Sequence, residues 1–237
     1  MKYKYELHCH TSLVSRCASI DAPTLVKLYK ANGYTGVFVT DHFLNGNTVV
    51  DRSLPWKRQI EEYAKGYYTC KNEGEKIGLD VFFGVESSYK GTDVLFYGLM
   101  PDWYEKHPEI MQMSMKDSIL FVRENGGIAV QAHPYRRDGY IDHVRLFAEY
   151  CDGLEVYNAN RKEVENSLAN TLADAYGLIK TSGSDLHSSA QENLGGMAFN
   201  EKIKDEKHLL KLLKEGSGSI IKQKNVLNST SGDKNND

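Results

Sequence analysis

The sequence predicts a single-domain α/β protein built from parallel βα units. Three observations carry that prediction. There are seven short apolar runs; most are followed by an amphipathic helical pattern; and the runs are apolar throughout rather than alternating, as when both strand faces are buried. A chain of 237 residues suits one core of this kind. A closed or nearly closed barrel and an open doubly wound sheet both fit the strand count.

Taken in order, Tyr3 to Leu7 reads as the first strand. Asp21 caps a helix with Pro23 in its first turn and Leu25, Leu28 and Tyr29 on one face, closed by Gly33. Gly36 to Thr40 is the second strand. Ser53 caps a long helix with Pro55 early in it, running through Ile60, Tyr63, Ala64 and Tyr67 toward Gly74 or Gly78. Val81 to Val85 and Val94 to Tyr97 are the third and fourth strands. Ser114 to Asn125 is helical and stops at Gly126-Gly127. Ile128 to Gln131 is the fifth strand, a helix follows around His143 to Tyr150, and Leu154 to Tyr157 is the sixth. Lys162 to Tyr176 is helical, Gly177 ends it, Ile179 to Thr181 is the seventh strand, and Asp205 caps a last helix carrying Leu209, Leu210, Leu212 and Leu213. The domain is expected over 1–215, with 216–237 a flexible polar end rich in Ser, Asn, Lys, Asp and Gly.

Composition narrows the function. Hydrophobic residues at 41% and charged residues at 26% describe a globular chain rather than a disordered one. Lys+Arg 29 against Asp+Glu 32 leaves a net charge of −3, which gives no general hold on polyphosphate backbones and argues against a nucleic-acid-coating protein. No apolar run approaches the roughly 20 residues of a membrane span, so no membrane partner is expected. The segment from Met1 to Glu6 lacks the apolar core of a signal peptide. Cys9, Cys17, Cys70 and Cys151 are irregularly spaced and read as reduced thiols, so the expected location is cytoplasmic.

The chemistry is carried by what falls at the strand ends. His8 and His10 end the first strand, Asp41 and His42 follow the second, and Glu86 ends the third. His133 follows the fifth, and Asp185 and His187 follow the seventh. The C-terminal ends of parallel strands form the catalytic face of α/β barrels. Histidines at i and i+2 of a strand point the same way, so His8 and His10 can present two imidazoles to one ion. Imidazole with carboxylate suits Zn²⁺, Mn²⁺ or Fe²⁺ better than Mg²⁺ or Ca²⁺. Glu86, placed among histidines, can bridge two ions, the arrangement used in phosphate ester hydrolysis. Asp41 reads as a residue that orients a neighbouring histidine. Arg136 and Arg137 read equally as phosphate clamps or solvated loop charges, and Asn158 as a rim residue or a helix cap.

The order His8-Cys9-His10, Thr40-Asp41-His42, Gly84-Val85-Glu86, Ala132-His133-Pro134 and Ser184-Asp185-Leu186-His187 resembles the PHP (polymerase and histidinol phosphatase) domain, from the first strand to about Ser189. The resemblance implies a distorted (β/α)7 barrel, TIM-like, with two or three divalent transition-metal ions (Zn, Mn or Fe) at its C-terminal rim, hydrolysing phosphoesters. It implies one ion on His8, His10, Glu86 and Asp185, a second on Glu86 and His133, and a third facing His42 and His187. Either of those last two histidines, if not saturated by metal, would protonate the leaving group. Two stretches depart from the family pattern. After His10, where members carry a further metal ligand, the chain has Thr11 to Cys17, with Arg16 near the expected place. Arg16 reads equally as a grip on the substrate phosphate or as a solvent-facing loop residue. After the fourth strand, Tyr97 to Asp102 offers no histidine, and Asp93 and Asp102 are the nearby carboxylates. The expected substrate is a small phosphomonoester, with histidinol phosphate and nucleotides as instances. The alternatives are a nuclease acting on nucleic acid ends and a non-catalytic metal-binding accessory module.

Overall fold

The computed structural model describes residues 2–229. Its strands are β1 (Tyr3–Cys9), β2 (Gly36–Val39), β3 (Asp80–Tyr89), β4 (Thr92–Tyr97), β5 (Ile128–Ala132), β6 (Gly153–Asn158), β7 (Ile179–Gly183), β8 (Asn193–Leu194), β9 (Met197–Phe199), β10 (Ser219–Ile220) and β11 (Gln223–Lys224). Its helices are α1 (Ala22–Ala31), α2 (Trp56–Tyr63), α3 (Lys65–Ile77), α4 (Pro101–Lys106), α5 (Met115–Glu124), α6 (Glu163–Tyr176), α7 (Glu206–Lys214) and α8 (Val226–Ser229). Nine strands form one sheet in the order β10-β9-β1-β2-β3-β4-β5-β6-β7. The sheet curls until its two sides meet: Asp185 N donates to His8 O at 2.7 Å, and His10 N donates to Leu186 O at 3.0 Å. The result is a nearly closed, barrel-like sheet in one mixed α/β domain.

Strand alternation sorts the core. Tyr5, Leu7, Phe38, Phe82, Tyr97 and Val130 form one apolar cluster with the leucines of α7. Their sequence neighbours Val37, Val39, Phe83 and Phe96 join a second cluster with residues of α1, α3 and α5. Both faces are therefore buried, as the continuous apolar runs required.

The all-parallel expectation needs correcting at β4, which runs antiparallel to both β3 and β5. Between Tyr89 and Thr92 there are only Lys90 and Gly91, and Gly91 takes φ +72. Two residues can close a hairpin but cannot carry a chain back to a parallel start. The long helix expected from Ser53 is two helices, α2 and α3, broken at Ala64, and Pro55 rather than Ser53 occupies the N-cap position. The break sets α3 against the loop after β2, where a Cβ on Gly66 would lie 2.2 Å from Asp41 Oδ2. The segment His143 to Tyr150 is not helical. The Gln131 side chain satisfies its backbone instead, donating to Arg145 O at 2.7 Å and accepting from Phe147 N at 2.9 Å. The segment from Gly216, expected as a flexible end, carries β10 paired with β9 and β11 paired with β8. It is fixed by polar contacts that leave no apolar period: Lys4 Nζ donates to Gln223 Oε1 at 2.8 Å and Val226 N to Asn32 Oδ1 at 2.9 Å. Residues 230–237 of that expectation lie outside the described residues. Among the described residues, no helix is long and apolar enough to cross a membrane.

Closure depends on Gly183, where a Cβ would sit 2.3 Å from His8 Cβ and 2.8 Å from Glu155 Oε1. Gly183→Ala should lower unfolding stability by about 2–3 kcal/mol, the cost of overpacking a filled site. Gly139→Ala, whose Cβ meets nothing within 4 Å, should change it little. Urea unfolding midpoints check both; equal midpoints would show that the β1–β7 seam opens without cost.

Candidate metal centre

The rim is assembled by continuing the sheet past its regular strands. An isolated parallel bridge joins His42 to Glu86. Phe43 N donates to Glu86 O at 2.8 Å, which extends the β2–β3 pairing and sets the His42 ring beside the Glu86 carboxylate. Cys9 bridges Leu186 in the same way and brings Asp185 and His187 alongside His8 and His10. Glu6, fully buried, fastens this seam by accepting from His8 N and Ser184 N, each at 2.8 Å. His133 and Asp185 have φ of +28 and +51, the positive-φ non-glycine residues of the described chain. Left-handed backbone at such residues is uncommon and collects at functional sites.

All seven residues predicted as metal ligands are gathered here. His42 Nδ1 lies 2.8 Å from Glu86 Oε2, and the Nε2 atoms of His8 and His133 each lie 3.2 Å from Glu86 Oε1. His10 Nε2 lies 3.4 Å from Glu86 Oε2 and 3.3 Å from Asp185 Oδ1. His187 stacks on His10 with ring centroids 4.3 Å apart. His8, His10 and Asp185 form one group whose donor atoms lie within 4.8 Å of one another; His8, Glu86 and His133 form a second, and His10, His42 and His187 a third.

The hydrogen bonds behind these rings decide which nitrogen faces inward. His8 Nδ1 meets Glu155 Oε1 at 2.9 Å. Ser15 Oγ gives its only proton to Asp41 Oδ1 at 2.7 Å, so it can only accept from His42 N at 2.9 Å and from His10 Nδ1 at 3.1 Å. His187 Nδ1 donates to the Asp185 carbonyl at 2.9 Å. In the neutral form of each ring the proton is therefore on Nδ1 and the lone pair on Nε2. His8 Nε2 and His10 Nε2 are buried without a well-aligned hydrogen-bond partner, as are His42 Nδ1 and Glu86 Oε2. Lone pairs facing carboxylate oxygens repel unless a proton or a cation lies between, so the residues present fit a divalent metal. Asp41 acts as expected of an orienting residue, through Ser15, and is held in turn by Thr11 N at 2.6 Å and Thr11 Oγ1 at 2.8 Å.

Charge follows the same plan. Burial raises the Glu86 carboxyl, but the imidazoles of His42 and His8 and the hydrogen bond from His133 outweigh it and hold the group well below the usual carboxylate range. Asp185 is held low in the same way against its burial, by His8, His10 and His187. Burial, then His187 and His42, push His10 well below the usual imidazole value. Burial lowers His8, yet Glu155, Asp185 and Glu86 carry it well above that value.

A cavity of about 650 Å³ opens over the centre and is lined by His42, Glu86, His133, Asp185 and His187, a size that suits a small ligand. Arg136 lines it, paired to Asp93 at 2.9 Å. Asp93 is buried, 3.9 Å from His133 Nε2, while Asp102 is exposed and pairs with Lys106. Arg16 is not brought to the cavity: it is exposed, and its guanidinium donates to Thr48 O at 3.0 Å. Its neighbour Cys17 lines the cavity instead. Arg137 is exposed, and Asn158 lies beneath the rim, donating to Glu155 Oε2 at 2.9 Å and Asp185 Oδ2 at 3.3 Å. Sequence reading missed Cys17, Glu155, Glu6 and Arg161. Arg161 could have been found from its place just past the β6 end. Glu6 and Glu155 carried the signal of charged residues inside apolar strand runs.

No family model matches the chain. An uncharacterized protein of Methanocaldococcus jannaschii is 25% identical over 176 residues, covering 70% of this chain and 88% of its own length. A two-domain protein of Bacteroides vulgatus containing a predicted PHP-like metal-dependent phosphoesterase superposes with a TM-score of 0.66 at 15% identity, over 93% of this chain. The match spans 65% of that longer protein. An amidohydrolase of Chromobacterium violaceum, solved with bound sulfate and no metal, superposes with a TM-score of 0.57 at 15% identity, over 92% of this chain and 97% of its own. At these identities the likeness is one of fold, shared with metal-dependent phosphoesterases and amidohydrolases alike.

Glu155 tests the orienting bonds. Its Oε2 also accepts from His133 N at 3.0 Å, so Glu155→Gln turns an NH₂ group toward one of these donors and removes the charge behind His8. Affinity for Zn²⁺ should fall about 10–100-fold, as for other partners behind metal-bound histidines. Competition with a chromophoric chelator measures it; unchanged affinity would detach Glu155 from the centre.

Proposed function

We propose that this chain is a metal-dependent phosphoesterase that hydrolyses a small phosphomonoester. The observation that carries the reading is Glu86, a fully buried carboxylate with three imidazoles within 3.2 Å, in the position of a bridge between two ions. In this reading His8, His10, Glu86 and Asp185 hold the first ion, and Glu86 and His133, with Asp93 beside them, hold the second. When bound, such ions acidify water at neutral pH and neutralise charge on a phosphoryl group. The protein residues do the rest. Glu155, Asp41 through Ser15, and the Asp185 carbonyl fix the imidazole orientations. Arg136 and Arg161 line the cavity, and Arg161 Nε is buried without a hydrogen-bond partner, a donor suited to an anionic oxygen. Two arginines at the cavity, each also paired to an aspartate, support a charged phosphate over a neutral amide. His42 and His187 line the same cavity. They either protonate the leaving oxygen or hold a further ion, and the choice turns on whether a third donor stands beside them.

Chain loaded with Zn²⁺ or Mn²⁺ should hydrolyse p-nitrophenyl phosphate, lose that activity to a chelator, and recover it when the ion is restored. Glu86→Gln should lower kcat by at least about a hundredfold, the scale of losing one transition-state-stabilising group, with an unchanged circular dichroism spectrum. Faster cleavage of short oligonucleotides or of an anilide would give the centre to a nuclease or an amidohydrolase. Bound metal with no turnover on any ester would make it an accessory module.

A further inference from the structure

The segment after β5 places a carboxylate between the two arginines of the cavity. Asp138 Oδ2 lies 3.4 Å from Arg136 Nε, and Asp138 Oδ1 lies 3.5 Å from Arg161 Nη1. Both contacts are long. Arg136 is set instead by Asp93, whose Oδ2 lies 2.9 Å from Nη2. The Nε atoms of both arginines are buried without a well-aligned hydrogen-bond partner. A planar carboxylate thus leaves donors open that a tetrahedral phosphate, with more acceptor oxygens, can engage. The chain is fastened on either side of this carboxylate: Arg137 N donates to Glu165 Oε1 at 3.0 Å, and Arg145 O accepts from Gln131 Nε2 at 2.7 Å. Between those points Gly139 has open space around it, and the exposed Tyr140 donates its hydroxyl proton to Asp138 Oδ2 at 3.2 Å. The Asp138 side chain is 35% exposed, so its charge can turn into water at little cost, whereas that of Asp93, 5% exposed, is locked in.

We infer that Asp138 is an internal stand-in for the substrate's phosphate: between turnovers its carboxylate occupies Arg136 and Arg161, and an incoming phosphate group displaces it into solvent. The inference rests on the phosphoesterase reading and adds to it a residue that sets anion affinity and selectivity. Displacement exchanges one ion pair for another at each arginine, so it favours an anion with more charge than the carboxylate it expels. The dianionic phosphoryl group of a monoester meets that condition. The monoanionic phosphate of a diester brings no surplus charge and gains little by the exchange. Selectivity of this kind comes from an occupant that must be driven out rather than from an added contact. After hydrolysis the exchange runs in reverse, and the returning carboxylate helps product phosphate leave the arginines.

The test uses the full chain loaded with Mn²⁺ and inorganic phosphate as the probe, with binding measured by calorimetry. Asp138→Asn keeps the shape of the side chain and removes its charge. It should bind phosphate about five- to tenfold more tightly than wild type, the scale of one or two partly exposed ion pairs. The preference in kcat/KM for p-nitrophenyl phosphate over bis(p-nitrophenyl) phosphate should narrow in the same variant. In an Arg161→Gln background the substitution should gain less, because one of the pairs it breaks is already gone. Asp142→Asn, on the same segment but paired to Arg145 at 2.7 Å, should leave phosphate affinity where it was. Unchanged or weaker phosphate binding by Asp138→Asn, as when the carboxylate orients the arginines, would overturn the stand-in and leave the phosphoesterase reading standing. An equal gain from Asp142→Asn would do the same. A metal-loaded wild type that neither binds phosphate nor cleaves p-nitrophenyl phosphate would overturn both.

Discussion

The constraint on which this molecule depends is the direction of its imidazole lone pairs. His8, His10 and His187 each have Nδ1 engaged, by Glu155, Ser15 and the Asp185 carbonyl respectively. Each therefore turns its Nε2, rather than its Nδ1, inward to one small space. That space already holds the Glu86 and Asp185 carboxylates, 3.2–3.5 Å from those nitrogens in the case of His8. Acceptors this close need positive charge between them. Protons can supply it at His8, where three carboxylates raise the imidazole, but not at His10, which burial and two neighbouring histidines hold well below its usual value. A divalent cation satisfies both rings at once.

The orienting groups come from separate parts of the chain, so the centre exists only where the sheet closes. Glu155 sits on β6, Ser15 on the loop after β1, and Asp185 just past β7. The seam between β1 and β7 relies on bonds from Asp185 N and His10 N, on Glu6 beneath them, and on the lack of a side chain at Gly183. The left-handed backbone at His133 and Asp185 costs on the order of 1–3 kcal/mol each. It is tolerated because the same residues are tied down, His133 N to Glu155 and Asp185 N to His8 O. Strain, closure and lone-pair direction are thus one arrangement viewed from three sides.

The histidines and acids at the strand ends were legible in the sequence because strand length and side-chain alternation alone bring them to one rim. What was not legible depended on contacts between distant segments. The antiparallel course of β4 follows from a two-residue turn at Lys90-Gly91, a local signal outweighed by the regularity of the βα pattern around it. The non-helical path near Phe147 follows from Gln131, sixteen positions away, taking over backbone hydrogen bonds. Glu6 and Glu155 lie inside apolar runs, where a charge looks like noise until its buried partners are known. Arg16 and Cys17 differ by one position, and only the bonds to Asn47 and His187 decide which of the two faces the cavity.

The rim also separates two kinds of donor. Glu86, Asp93 and Asp185, hard oxygen donors, come from sheet positions or within two residues of a strand end, where strand pairing fixes the backbone. The imidazoles of His42 and His187 lie on the loops beyond, and Glu86 touches them through His42. Gathering carboxylates in a buried space carries a desolvation penalty of several kcal/mol per charge. Protonated imidazoles such as His8 offset part of it, but His10, held well below its usual value, does not. A bound ion would supply the remainder, contributing about 2.7 kcal/mol at a free concentration a hundredfold above Kd. The stability of the rim that carries these donors would therefore depend on ions, while the opposite side, packed by the α7 leucines, holds the barrel together without them.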